Sequence, residues 1–349
     1  MPRSKTANSS PSHRPVGFGR FWHRSLWPVL WPLSLIWRLA TWLRWQWVRP
    51  TKLNLPIIVV GNATVGGQGK TPSVLAIAKR LESHFRNEYI FCLSRGYGGE
   101  AIGPIEVIPA AHRAEFVGDE PLLLAAQFRT IVSLSRPEGA RLAAELGARI
   151  IVMDDGLQNP HIRPDLAILV VDGGSDSSNL GIVPTGPFRE PLAAALRRVQ
   201  AVILIGEDRG QWRGLIEKTS PNLAVLDANL VPDQQSFALV SGKRIVAFAG
   251  IGRPEKFFDS LRRSGAELVE TYGFADHHPY QAAEIDQLKS RAAALEATLI
   301  TTTKDFYRLD SLMRQDILPF AVNLEFNDAK LLYGLIMDVA KRVTVDENN

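Results

Sequence analysis

At 349 residues, 46% hydrophobic and 22% charged, the chain has apolar material for two domains of ordinary size and too much of it to be disordered throughout. A single cysteine, Cys92, excludes an internal disulfide framework and a cysteine-built structural zinc site, and fits a reducing compartment. The net charge of +4 conceals an asymmetry: residues 1–52 hold nine Lys/Arg and no acid, so the rest of the chain sums to −5.

A basic leader on an acidic body calls for an anionic partner, either membrane lipid or nucleic acid. Residues 1–20 are polar and Pro/Ser-rich and are expected to be disordered. Seven of the eight tryptophans then fall between Trp22 and Trp47. Indole rings favour the headgroup level of a bilayer, so the expected partner is an anionic membrane surface and not nucleic acid. Residues 26–48 are strongly apolar, interrupted by Pro28, Pro32, Arg38 and Arg44. A spanning helix needs about 20 apolar residues, but arginines inside it are costly. Ser34, Arg38, Thr41 and Arg44 fall on one helical stripe. That pattern predicts a helix lying in the interface with its arginines among lipid phosphates; a spanning helix and a core helix are the alternatives.

The stretch 55–72, LPIIVVGNATVGGQGKTP, predicts a buried strand, a glycine-rich turn and a helix. Gly66, Gly67 and Gly69 let successive backbone N–H groups point at one anion, and the helix adds its positive end. Thr64, Val65, Gly66, Gly67, Gln68, Gly69, Lys70 and Thr71 are therefore candidate phosphate-binding residues. Lys70 supplies a mobile charge for the terminal phosphates of ATP, and Thr71 a hydroxyl for Mg²⁺. The usual pattern has glycine where Thr64 stands.

A helix over 71–85 and a strand over 89–93 follow. The strand ends in Ser94-Arg95-Gly96-Tyr97, a glycine-rich loop with one cation, Arg95. Asp119 opens the next helix; it can take a proton from an acceptor hydroxyl, or simply cap the helix ahead of Glu120 and Pro121. A strand over 130–134 and a helix over 136–146 lead to Ile150-Ile-Val-Met-Asp-Asp155, where a buried strand delivers Asp154 and Asp155 to its end, a position suited to holding Mg²⁺. Strands over 166–172 and 201–205 flank a Gly/Pro-rich loop at 181–191 that contains Arg189 and Glu190. Residues 211–240 read as a linker. A second α/β unit follows, with strands over 243–249, 267–271 and 298–302, the loop Asp276-His277-His278, and a closing helix over 327–342. The predicted organisation is a membrane-anchoring segment at 1–50, a core domain at 51–210, a linker at 211–240, a smaller α/β domain at 241–330, and a closing helix and tail at 331–349. The fold class is α/β: a P-loop NTPase-like, mostly parallel sheet with helices on both faces, a smaller C-terminal α/β domain, and an N-terminal membrane-associated helix.

The motifs Gly61-Asn62-x-Thr64-Val65-Gly66-Gly67-x-Gly69-Lys70-Thr71-Pro72, Ser94-Arg95-Gly96-Tyr97, Val117-Gly118-Asp119-Glu120-Pro121, Asp154-Asp155-Gly156-x-Gln158, Arg189-Glu190-Pro191 and Asp276-His277-His278 occur in this order. Together they resemble the tetraacyldisaccharide 4′-kinases of lipid A biosynthesis over roughly residues 25–330. Thr64 in place of glycine matches that family. The resemblance implies that ATP phosphorylates the 4′-hydroxyl of a tetraacylated glucosamine disaccharide 1-phosphate, a glycolipid, to give lipid IVA. It implies a peripheral, monotopic enzyme on the cytoplasmic face of the inner membrane of a Gram-negative bacterium. It further implies that Asp119 is the catalytic base with His277, or else His278, as partner; that Asp155 and Glu190 join Thr71 at Mg²⁺; and that Asp154 and Arg189 lie close by. The family usually has a glutamate where Thr303 stands, so Lys304 and Asp305 carry no assigned role. The alternative reading, a membrane-associated ATPase that positions cargo, expects a signature lysine where this chain has Val65.

Overall fold

The structure, a computed structural model, describes residues 27–346, with side chains described from 30 to 341. The expectation of disorder at 1–20 lies outside the described residues.

The chain opens with helix α1 (Trp27–Trp47) and then builds one large sheet. Its elements are β1 (Ile57–Gly61), α2 (Lys70–Leu81), β2 (Ile90–Ser94), β3 (Ile105–Glu106), α3 (Ala114–Val117), α4 (Asp119–Ala125), β4 (Arg129–Val132), α5 (Arg136–Glu145), β5 (Ile150–Asp154), β6 (Leu166–Asp172), α6 (Leu192–Leu196) and β7 (Ala201–Ile205). The central strands are wholly buried apolar runs, as a sheet covered on both faces requires. Alternation within β1 shows the two faces. Ile57 and Val59 pack with Ala140, Leu192, Leu196 and Trp212, whereas Ile58 and Val60 pack with Val74, Ile77 and Leu81.

Residues 211–240 are not a linker. They form α7 (Trp212–Thr219), β8 (Ala224–Pro232) and α8 (Gln234–Val240). β8 pairs in parallel with β7 and so extends the large sheet. Its sequence, AVLDANLVP, is only partly buried and carries polar residues, which hid the strand from a reading of local pattern.

The smaller sheet follows: β9 (Arg244–Ala249), α9 (Pro254–Arg263), β10 (Glu267–Gly273), α10 (Ala282–Ala294), β11 (Thr298–Thr302), α11 (Thr303–Arg308) and β12 (Ile317–Phe320). Its four strands are all parallel, in the order β10-β9-β11-β12. The chain then returns to the first sheet. β13 (Val322–Phe326) pairs antiparallel with β8, and α12 (Ala329–Asp346) lays Leu332, Ile336 and Met337 on the same core as α2. The large sheet therefore has nine strands, in the order β13-β8-β7-β6-β1-β5-β2-β4-β3. The two crossings between the sheets lie side by side: the Asp233 N–H donates to the Ala321 carbonyl, and the Ala321 N–H donates to Ser236 Oγ.

This topology places the chemistry. In an open parallel sheet, ligands bind at the carboxyl ends of the strands. The glycine-rich loop follows β1, the Arg95 loop follows β2, Asp154 ends β5 and Asp172 ends β6. In the smaller sheet, the loops after β9 and β10 carry Arg253 and His277, and helix α11, which follows β11 directly, carries Lys304. The two sheets meet across these edges. Asp172 accepts from Arg253 Nη1 at 2.8 Å and from Lys256 Nζ at 2.7 Å. Tyr307 of α11 packs on the apolar cluster of Val117 and Leu122.

Helix α1 departs from the simplest interfacial picture. Its polar stripe divides: Ser34 is buried against the body of the protein, whereas Arg38 and Arg44 are exposed. The face turned to solvent carries Trp31, Leu33, Ile36, Leu39 and Trp42, with Ile36 64% and Trp42 57% exposed. Among the described residues no helix is long and apolar enough to cross a membrane.

Candidate active site

The phosphate loop begins where β1 ends. Gly69 precedes α2 with φ 86°, a left-handed conformation that side chains resist, and an added Cβ would come 2.5 Å from Ile205 Cδ1. The loop is framed from outside by the 181–191 segment: Thr64 forms an antiparallel bridge with Phe188, and the Val65 N–H donates to the Pro187 carbonyl at 2.8 Å. Gln68 reaches back, its Oε1 accepting from the Asp172 N–H.

Lys70 Nζ lies 3.5 Å from Asn62 Oδ1 and 3.8 Å from Asp155 Oδ2. Thr71 Oγ1 lies 3.5 Å from Asp154 Oδ2. Burial pushes Asp154 up to about 7, with Lys70 opposing and the Asp155 and Glu120 charges adding to the rise. Asp154 Oδ1 and Glu120 Oε2 are both buried without a hydrogen-bond partner. Buried carboxylate oxygens without partners, with the Thr71 hydroxyl beside the Asp154 carboxylate, are hard donors of the kind a divalent cation takes.

The other expected metal ligands are otherwise engaged. Arg189 Nη1 donates to both oxygens of Asp155 at 3.0 Å. Arg198 Nη2 donates to both oxygens of Glu190 at 2.6 and 2.5 Å, and Gln158 Nε2 donates to one of them. In this structure Asp155 and Glu190 thus brace the loop walls, and Asp154 rather than Asp155 sits beside Thr71. Arg95 stays exposed on the loop after β2.

Asp119 begins α4 behind Gly118, whose φ of 91° brings its Cα close under Tyr97; a Cβ there would meet the Tyr97 carbonyl at 2.7 Å. The Asp119 carboxylate is buried and is met from the smaller sheet. His277 Nδ1 lies 3.1 Å from Oδ2, Arg308 Nη2 donates to it at 2.5 Å, and Lys304 Nζ is 3.9 Å away. All three contacts end on Oδ2. Lys304 also pairs with Glu120 at 2.7 Å and lies 3.3 Å from His277 Nε2. Burial favours the neutral acid, but His277, Arg308 and Lys304 outweigh it and hold Asp119 far below the usual carboxylate range. The same hydrogen bond to Asp119 raises His277 above its ordinary value, against burial and Lys304.

The two adjacent histidines meet different carboxylates. His277 adopts φ 59° and turns to Asp119, while His278 Nε2 bonds Glu284 at 3.0 Å and stacks on Phe274. Arg308, Lys304 and Glu120 belong to this site and were not identified from sequence. Lys304 and Arg308 lie one helical turn apart on α11, a same-face spacing that carries meaning only once α11 is seen against α4. Asp305, also without an assigned role, is fully buried and structural: it accepts from Thr302, Tyr280, Arg308 and the Gly250 N–H.

In Asp119→Asn the cause of the His277 rise is removed while burial and Lys304 remain, so the His277 pKa is expected to fall. A pH titration of the His277 imidazole by NMR checks this, and an unmoved midpoint would break the pairing. The sign for stability follows. Because the folded value is raised, the His277 contribution is complete below about pH 6.5 and is lost as pH rises through the folded pKa.

The chain is similar to known proteins over most of its length. The family description Tetraacyldisaccharide-1-P 4′-kinase matches residues 25–340. The chain is 46% identical over 308 residues to the tetraacyldisaccharide 4′-kinase of Rhodospirillum centenum, covering 88% of this chain and 90% of that protein. It is 48% identical over 279 residues to the protein of the same name from Methylobacterium sp. strain 4-46, covering 79% and 83%. The crystal structure of LpxK from Aquifex aeolicus in complex with ATP superimposes with a TM-score of 0.70 at 24% identity, covering 90% of this chain and 98% of that one; at this identity the likeness speaks to the fold. With a family match over most of its length and relatives this similar, the chain belongs to the tetraacyldisaccharide-1-P 4′-kinase family.

Proposed function

We propose that this protein transfers the γ-phosphoryl group of ATP to the 4′-hydroxyl of a tetraacylated glucosamine disaccharide 1-phosphate, as a peripheral protein on the cytoplasmic face of the inner membrane of a Gram-negative bacterium. The observation that carries the reading is Asp119, a buried carboxylate of the large sheet held by His277, Arg308 and Lys304 of the smaller one, at the same carboxyl edge as the phosphate loop.

In this reading residues 64–71 hold the triphosphate and Lys70 neutralises charge on the transferred group. Asp119 Oδ1 receives the acceptor hydroxyl, and with His277 neutral at the start the hydroxyl proton passes to the Asp119–His277 pair as the new O–P bond forms and the bond from the γ-phosphorus to the departing ADP oxygen breaks. The strongly lowered Asp119 is a weak base by itself. Its coupling to a histidine raised in pKa lets the two share the proton. Arg308 and Lys304 fix the carboxylate, and they reach it only when the two sheets are together, so a complete site excludes water as the phosphate acceptor. Thr71, Asp154 and Glu120 are the residues that would hold Mg²⁺, which when bound neutralises charge on the phosphate oxygens. Asp155 and Arg189 keep Lys70 and the loop in register. Incubation with labelled ATP and the tetraacylated disaccharide 1-phosphate tests the reading: label is expected in the lipid, and release of free phosphate alone, unaffected by lipid, would sink it.

The membrane part of the reading rests on the outward face of α1, where large apolar side chains stand beside exposed Arg38 and Arg44. The double variant Ile36→Asp/Trp42→Asp is expected to lower partition onto vesicles containing anionic lipid by more than roughly tenfold, the loss of two apolar side chains worth about 1.5–3 kcal/mol each when buried. Sedimentation with vesicles measures it; wild-type partition by the variant would move the contact elsewhere.

A further inference from the structure

An anchor needs only a face turned to lipid. The inward face of α1 does more, because its hydrogen bonds go to the segment that frames the phosphate loop. Ser34 Oγ lies 2.9 Å from both the Ile182 carbonyl and Thr185 Oγ1, and Trp37 Nε1 donates to the Arg189 carbonyl at 2.9 Å. The Arg198 guanidinium sits 4.5 Å over the Trp45 ring. These contacts fall along 181–198, the stretch that also holds Phe188, Arg189 and Glu190.

That stretch is tied to the phosphate loop by its backbone. Phe188 bridges Thr64, the Pro187 carbonyl accepts from the Val65 N–H, and the Arg189 N–H donates to the Ala63 carbonyl at 2.8 Å. Its side chains continue the connection. Arg189 grips Asp155, which pairs with Lys70, and Glu190 accepts from Gln158, whose amide also donates to the Asn62 carbonyl. Arg189 is therefore held at three points: its carbonyl by Trp37, its N–H by the loop, and its guanidinium by Asp155. One residue separates the lipid-facing helix from the residues that meet ATP.

We propose that α1 is a positioning element of the ATP site, with Trp37 and Ser34 holding the 181–191 segment against the phosphate loop. The proposal rests on the family reading of the activity, since it concerns how that active site is held. Trp37 suits the role because its indole is amphipathic. The residue is 47% exposed, while its N–H donates to the Arg189 carbonyl. Seating the ring among headgroups would shield that hydrogen bond from competing water and strengthen it. Docking on a lipid surface and the geometry of the phosphate loop are then coupled through one side chain.

Trp37→Phe separates positioning from anchoring, because phenylalanine keeps an apolar ring and loses only the donor. In the full-length protein, with tetraacylated disaccharide 1-phosphate in detergent micelles, the KM for ATP is expected to rise roughly three- to tenfold, the scale of one neutral hydrogen bond. The KM for the lipid, the thermal midpoint and partition onto phosphatidylglycerol vesicles are expected to stay at wild-type values. Ser34→Ala is expected to shift the ATP KM in the same direction by a smaller factor. An ATP KM at the wild-type value in both variants overturns the proposal, as does a rise confined to the lipid KM. If wild-type protein fails to bind vesicles yet Trp37→Phe still raises the ATP KM, the membrane reading falls and this inference stands. If wild-type protein phosphorylates no lipid at all, the activity reading falls first, and ATP affinity measured by equilibrium binding decides between the variants.

Discussion

Asp119→Asn is expected to lower the rate of phosphoryl transfer by roughly 10²–10⁴-fold, the range that a positioned proton acceptor contributes, with ATP affinity nearly unchanged. Asparagine keeps the shape of the side chain and can still accept a hydrogen bond, but it cannot take the hydroxyl proton. The substitution also leaves Arg308 and Lys304 facing a neutral group. Arg308 is buried and donates to Asp119 through both Nε and Nη2, so a loss of stability accompanies the kinetic effect; it is expected to stay below the roughly 3–5 kcal/mol of an uncompensated buried charge, because Arg308 keeps Asp305 and Lys304 keeps Glu120. The two are separable: the rate constant is measured well below the melting transition with ATP binding as the control for folding. Transfer at wild-type rate would remove Asp119 from the chemistry. Loss of ATP binding together with transfer would mean that the carboxylate serves the nucleotide and not the acceptor.

The second large effect belongs to Lys70. Lys70→Met should reduce the rate by roughly 10²–10³-fold, as expected when one preorganised positive group is taken from a site of developing negative charge, and should also raise the KM for ATP. The methionine stem fills much of the same space, so the loop itself is expected to keep its form. Asp155 then loses one of two cations but keeps Arg189, which limits the structural consequence. Labelled-ATP transfer at saturating lipid checks the rate. A fall confined to KM, with full rate at saturating ATP, would assign Lys70 to binding alone.

The parts of the site legible in the sequence are those built by consecutive residues. The phosphate loop is one strand, one turn and the first turn of a helix, so its glycines, Lys70 and Thr71 share a neighbourhood by covalent necessity. Asp154 at the end of a buried strand was legible for the same reason. Asp119 and His277 were named through the family resemblance. Local pattern by itself left Asp119 open to a plain helix cap and left His277 level with His278. The division at 211–240 failed differently. β8 is a half-exposed strand whose antiparallel partner β13 lies some ninety residues further on, and a strand of that kind has no local signature strong enough to mark it.

By itself the sequence determined the fold class, the phosphate-binding loop, the basic and tryptophan-rich leader, and a set of carboxylates at strand ends. All of these follow from short-range regularities: period-two or continuous apolar runs, glycines where φ must be positive, and charge counted along the chain. Only the tertiary structure decided which charges meet. Arg308 and Lys304 stand nearly two hundred residues from Asp119 and reach it because a mostly parallel sheet and a parallel one oppose their carboxyl edges. The same packing gave Glu190 to Arg198 and Glu120 to Lys304, and turned α1 so that Ser34 faces inward and its apolar side chains face out. Electrostatic and hydrogen-bond partnership depends on separations of a few ångströms in space. Sequence spacing fixes such separations within a single element and leaves them open between elements.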